Sequence, residues 1–92
     1  MPYFVYILRC ADGSLYTGLT TDPVRRLAEH QAGGKKGARY TRCRLPVEQV
    51  WLSEPLPNRS SAGALEWKIK HMTVVQKRAL IGNGTAPHYN QA

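Results

Sequence analysis

Residues 3–30 read YFVYILRCADGSLYTGLTTDPVRRLAEH, and this stretch decides the fold. Residues 3–10 are a nearly unbroken apolar and aromatic run, the pattern of a strand covered on both faces. Asp12-Gly13 follows; both residues tolerate positive φ, so the pair predicts a hairpin. Residues 15–20 make the return strand. Asp22-Pro23 then predicts a helix over 23–32. The Asp22 carboxylate caps free backbone N–H groups, and Pro23 occupies the first turn, where its missing donor costs nothing. Val24, Leu27 and Ala28 are expected as the apolar stripe of this helix, with Arg26 and His30, four apart, on another face. Gly33-Gly34 ends it.

Residues 35–44, KKGARYTRCR, hold five basic residues in ten around one tyrosine and read as a loop or irregular connector. Basic residues interleaved with an aromatic suit phosphate contact plus base stacking. Lys35, Lys36, Arg39, Tyr40, Arg42 and Arg44 are therefore candidates for nucleic-acid binding; a solvated loop is the plainer alternative. Pro46 precedes a third strand, expected over 47–54 around Val50, Trp51 and Leu52. Two prolines in residues 54–58 make a turn. Asn58 caps a helix over 59–71 whose core stripe is Ala62, Leu65, Ile69 and Met72. Glu66 sits about 80° from the centre of that stripe, and Gly63 weakens the helix slightly. Thr73-x-x-Gln76 is a capping box opening a third helix that ends near Ile81. Residues 1–82 read as one domain and 83–92 as a flexible tail. The order is β-β-α-β-α-α, an α+β pattern in which a small sheet needs helices to cover it.

Thirteen Lys and Arg stand against six Asp and Glu, a net charge of +7 in 92 residues. So strong a positive balance favours a polyanionic partner, nucleic acid above all. No apolar run approaches the length that spans a bilayer, and the N-terminus lacks the layout of a signal peptide. Membrane partners are not expected, and no protein partner is identifiable. Cys10 and Cys43 show neither metal-ligand spacing nor a disulfide framework, so a reduced thiol at Cys10 and a cytoplasmic setting are expected.

Phe4-Val5-Tyr6, then Tyr16-Thr17-Gly18 ten residues after Tyr6, then Arg26 ten after Tyr16, resembles the GIY-YIG nuclease signature. The phrase VYIL-R-C-ADGS-LY-TG, the Arg-Leu-x-x-His ending of the first helix and a later helix with one glutamate are more similar still to the small stand-alone bacterial members. The resemblance spans residues 3–81. It implies a three-stranded antiparallel sheet flanked by helices and a metal-dependent endonuclease hydrolysing phosphodiester bonds. DNA is the favoured substrate and RNA the alternative. With no appended recognition domain, little sequence specificity or a preference for branched, nicked or single-stranded structures is expected, in DNA repair or recombination.

The matching positions carry the family's roles. Glu66 is the implied ligand of one divalent ion, Mg²⁺ or Mn²⁺; hard ions of this kind accept one or two carboxylates and fill up with water and substrate phosphate. Tyr6 is the implied general base, although a phenol with a pKa of ~10 needs a nearby cation for that. Tyr16 is implied to orient water or phosphate, Arg26 to bind the scissile phosphate with its fixed fork of donors, and His30 to contact phosphate or move a proton. Without the resemblance, Tyr6 reads as a core aromatic, Tyr16 as a cross-strand partner, Gly18 as a bulge and Glu66 as a solvent-facing helix residue. Leu19 stands where many members carry a lysine, so that cation is missing unless Lys35, Lys36 or Lys70 substitutes. No residue takes the place of the asparagine that some members use near the end of the domain; Asn83 lies too far along. A catalytically weak or inactive nucleic-acid-binding protein that retains the fold is the alternative function, and an adaptor recruiting partners through its tail a third.

Overall fold

A computed structural model describes residues 1–82; the tail expected at 83–92, Asn83 included, lies outside the described residues. Seven elements follow one another: β1 (Phe4–Arg9), β2 (Leu15–Thr20), α1 (Pro23–Ala32), α2 (Arg39–Arg42), β3 (Glu48–Leu52), α3 (Arg59–Lys70) and α4 (Val74–Gly82). The strands form one antiparallel sheet in the order β2-β1-β3, the α+β architecture expected. Among the described residues no helix is long and apolar enough to cross a membrane.

β1 is apolar without alternation because it is the central strand and both its faces are covered. Tyr6, Leu8 and Cys10 face one side with Val47 and Leu52, and Leu27 of α1 packs there. Val5 and Ile7 face the other with Trp51, beneath Ala62 and Ile69 of α3. The predicted hairpin forms through Gly13, at φ +86°, and Asp12, whose carboxylate accepts the Ser14 N–H at 3.0 Å. The caps follow the sequence too. Asp22 accepts from the Arg25 N–H at 3.1 Å, Asn58 from the Ser61 N–H at 2.8 Å, and Thr73 and Gln76 bond reciprocally at 2.9 and 3.1 Å. Both cysteines are free, Cys10 buried and Cys43 exposed.

Three expectations need correction. The α1 stripe is not Val24, Leu27 and Ala28: Val24 is 82% exposed and Ala28 is exposed as well. The inward face is Leu27 with the buried His30 and the half-buried Arg26. A polar face can point inward because hydrogen-bond partners for it exist there. Residues 35–44 are not wholly irregular. Residues 39–42 close one helical turn, too short for propensity to hold, and it is held by buried Thr41 and by Tyr40 stacking on Tyr16. β3 stops at Leu52 rather than residue 54, where Ser53 replaces the ladder: its N–H bonds the Val5 carbonyl at 2.8 Å and its hydroxyl accepts the Val5 N–H at 2.9 Å.

Candidate active site

The site is built around the Tyr6 hydroxyl. Tyr6 lies opposite Gly18 in the β1–β2 register, and its ring crosses directly over that glycine. A Cβ at position 18 would sit 2.6 Å from the Tyr6 Cζ, so the glycine is required by the approach of the ring. Tyr6 Oη is 2.8 Å from His30 Nε2, and His30 Nδ1 is 3.0 Å from Thr41 Oγ1. The Thr41 hydroxyl donates to the Ala38 carbonyl at 3.1 Å, so its oxygen accepts from the imidazole. The proton of His30 is thereby assigned to Nδ1, leaving Nε2 to accept from the phenol. The Ala38 N–H approaches the same Nδ1 at only 3.5 Å, too long to compete.

Arg26 is the other partner of Tyr6. Its positive charge acts on the phenol, and it pairs with Glu29 at 2.9 Å and donates to the Lys36 carbonyl. Burial pushes the Tyr6 phenol up to about 12, overcoming the lowering effect of Arg26. Burial pulls His30 down to about 4, and the Arg26 charge pushes the same way. The two groups therefore meet as a neutral phenol and a neutral imidazole, an acid and a base set far from each other's working range.

Tyr16 stands beside them, its ring 6.5 Å from Tyr6 and 5.5 Å from His30. Tyr40 stacks on it at 5.9 Å, and the Arg44 guanidinium caps Tyr40 at 3.9 Å while pairing with Asp12 at 3.0 Å. Among the basic connector residues, Arg44 and Tyr40 are thus engaged in joining α2 to the hairpin, whereas Lys35, Lys36, Arg39 and Arg42 are exposed. Glu66 arrives from α3, which packs against β2 and β1. It is half-buried with Lys70 at 3.5 Å, and its charge reaches the Tyr6 hydroxyl, which it pushes upward.

The chain therefore gathers Tyr6, Tyr16, Arg26 and His30 at one point and brings the charge of Glu66 to it. Leu19 packs into the core on the α3 side, so its position supplies no cation; of the three proposed substitutes, Lys70 is the one paired with Glu66. Two participants escaped the sequence reading. Thr41 was hidden in a run read for its charges. Glu29 stands three residues after Arg26, a spacing that signals a helical ion pair. Among the described residues no group of three or more His, Cys, Asp or Glu is placed to hold a metal ion.

Residues 2–78 match the GIY-YIG catalytic domain. The chain belongs to that family. The UPF0213 protein of Desulfotalea psychrophila is 49% identical over 86% of this chain and 70% of its own length. A UPF0213 protein of Natronomonas pharaonis is 46% identical over 90% and 94%. Among solved structures, the solution NMR structure of a UPF0213 protein from Bacillus halodurans superposes with a TM-score of 0.61 at 40% identity, covering 100% of this chain and 95% of the other. An E. faecalis protein, also solved by NMR, gives 0.60 at 39%, over 90% and 85%. This GIY-YIG domain thus shares both sequence and fold with the UPF0213 proteins, and the expected resemblance stands.

Proposed function

We propose that this chain is a metal-dependent endonuclease that hydrolyses phosphodiester bonds in DNA, with little sequence specificity or a preference for irregular structures, in repair or recombination. The observation that carries the reading is the convergence on the Tyr6 hydroxyl of a neutral imidazole, a guanidinium and the charge of a helical glutamate. A divalent ion fits this donor set only in part. Glu66 offers one hard carboxylate, enough to hold Mg²⁺ or Mn²⁺ jointly with water and substrate phosphate but not to cage it. When bound, the ion supplies positive charge at the phosphate and favours ionisation of nearby acids.

The side chains do the rest. Arg26 presents donors to the phosphate, with Glu29 and the Lys36 carbonyl fixing its plane. Tyr6, its phenolate favoured by nearby positive charge, takes a proton from the attacking water, while His30 Nε2 keeps the phenol oxygen in place. The water oxygen bonds to phosphorus, the P–O bond to the leaving alkoxide breaks, and that alkoxide takes up the proton. Thr41 holds the imidazole in the tautomer that accepts from the phenol. Tyr16 borders the space where water or phosphate would sit, and exposed Lys35, Lys36, Arg39 and Arg42 attract the polyanion. A non-catalytic DNA- or RNA-binding protein is favoured by one observation: Leu19 leaves the site without the family's usual lysine.

Cleavage of a panel of labelled duplex, nicked, branched and single-stranded DNAs with Mg²⁺ or Mn²⁺ separates the two. The nuclease reading expects cleavage that vanishes in Glu66→Ala and Arg26→Ala while Glu66→Ala still binds. Binding without cleavage at any metal concentration, unchanged in Glu66→Ala, leaves the binding protein instead.

A further inference from the structure

α3 carries a side chain that its packing does not use. Its inward positions are Ala62, Leu65 and Ile69, yet Trp67, about 200° round the helix from Leu65, is 64% exposed. Side chains lean toward the N-terminus of a helix, so residues four apart rest on one another. His71 rests on Trp67 in this way, with ring centroids 4.0 Å apart, 26° between the planes, and Nδ1 donating to the Trp67 carbonyl at 2.8 Å. The next positions along the row are Gly63 and Ala64, and a Cβ added at Gly63 would meet no atom within 4 Å. The indole is backed by an imidazole and open over a floor of two small residues. Glycine weakens a helix interior, and the open space shows that close packing does not demand one here.

The surroundings are cationic. Arg59 lies one turn before Gly63 in the same row, and Lys70 about 60° from Trp67. Lys70 also pairs at 3.5 Å with Glu66, the residue that the same helix brings to the candidate site. On a chain of net charge +7 the complementary partner is a polyanion that also presents flat apolar rings.

We propose that Gly63, Trp67 and His71 form a stacking slot for a nucleobase of the nucleic acid bound at the candidate site, an inference that rests on the nucleic-acid reading above. The indole is already held by His71, so stacking a base on it sacrifices little side-chain freedom, and every base offers a suitable face. A base inside a duplex has both faces covered. The slot therefore takes one with a free face, at a strand end, a gap or an unpaired run.

Of the two tryptophans, Trp51 is 5% exposed, so the acrylamide-accessible part of the indole emission reports on Trp67. The full-length protein in EDTA is titrated with a single-stranded oligonucleotide and, separately, with inorganic polyphosphate. Both should bind, but only the oligonucleotide should quench the emission and shield the indole from acrylamide. Trp67→Ala and Gly63→Leu should each weaken oligonucleotide binding about 5- to 100-fold and leave polyphosphate binding unchanged, while Trp67→Phe keeps most of it. Leucine is the better helix former, so a loss in Gly63→Leu with an unchanged circular dichroism spectrum is not unfolding. An indole still open to acrylamide at oligonucleotide saturation, or variants that bind as tightly as the parent, overturns the slot alone and leaves this face to a protein partner. Failure to bind either polyanion overturns the nucleic-acid reading and the slot together.

Discussion

His30 is fully buried, and burial governs its titration. Folded, it carries no proton until about pH 4, whereas the unfolded chain takes one up near 6.5. The unfolded state thus binds more protons between those values, so the stabilisation is complete above pH 6.5 and is lost as pH falls toward 4. Urea titrations across this window should show stability dropping with a slope approaching about 1.4 kcal/mol per pH unit; in His30→Asn the slope should vanish in the upper part of the window, leaving at its acid end only what Glu29 and Asp12, both held low by their partners, contribute. Thr17 makes the opposite case. Its hydroxyl is buried without a hydrogen-bond partner among the described residues. Thr17→Val should raise stability by about 1 kcal/mol in urea denaturation, because an unpaired buried oxygen is replaced by a methyl of the same shape.

At the scale of elements, α1 shows why apolar spacing misled. Val24 and Ala28 are well spaced for a stripe, but the helix is rotated so that Leu27, His30 and Arg26 point inward. Val24→Ala should therefore change stability by no more than about 0.5 kcal/mol, whereas Leu27→Ala should cost about 2 kcal/mol, both read from chemical denaturation. The ends of the helices, by contrast, were legible because capping is local: Asp22, Asn58 and Thr73 each bond a donor three residues on. α2 was not legible, because four residues acquire a helical turn only when Thr41 and Tyr40 find partners elsewhere in the chain.

At the scale of the whole molecule, the positive charge of residues 35–44 divides into two populations. Lys35, Lys36, Arg39 and Arg42 are exposed, while Arg44 is spent on Asp12 and Tyr40. If the exposed cations meet phosphates, each replacement by alanine should lower the slope of log affinity against log salt by about 0.7 to 0.9, measured by fluorescence anisotropy with labelled DNA. Arg44→Ala should leave that slope in place and instead lower the melting temperature, since it unties the hairpin from α2.

By itself the sequence determined the order of elements, the hairpin, the caps and the spacing of Tyr6, Tyr16 and Arg26, because each of these depends on residues near one another in the chain. Which face of α1 turns inward, the tautomer of His30, the support of Arg26 by Glu29 and the division of the basic connector were decided only in the folded molecule. The reason is physical: a polar side chain can be buried only where a partner waits for it, and Tyr6, His30 and Thr41 become partners only when β1, α1 and α2 are packed together.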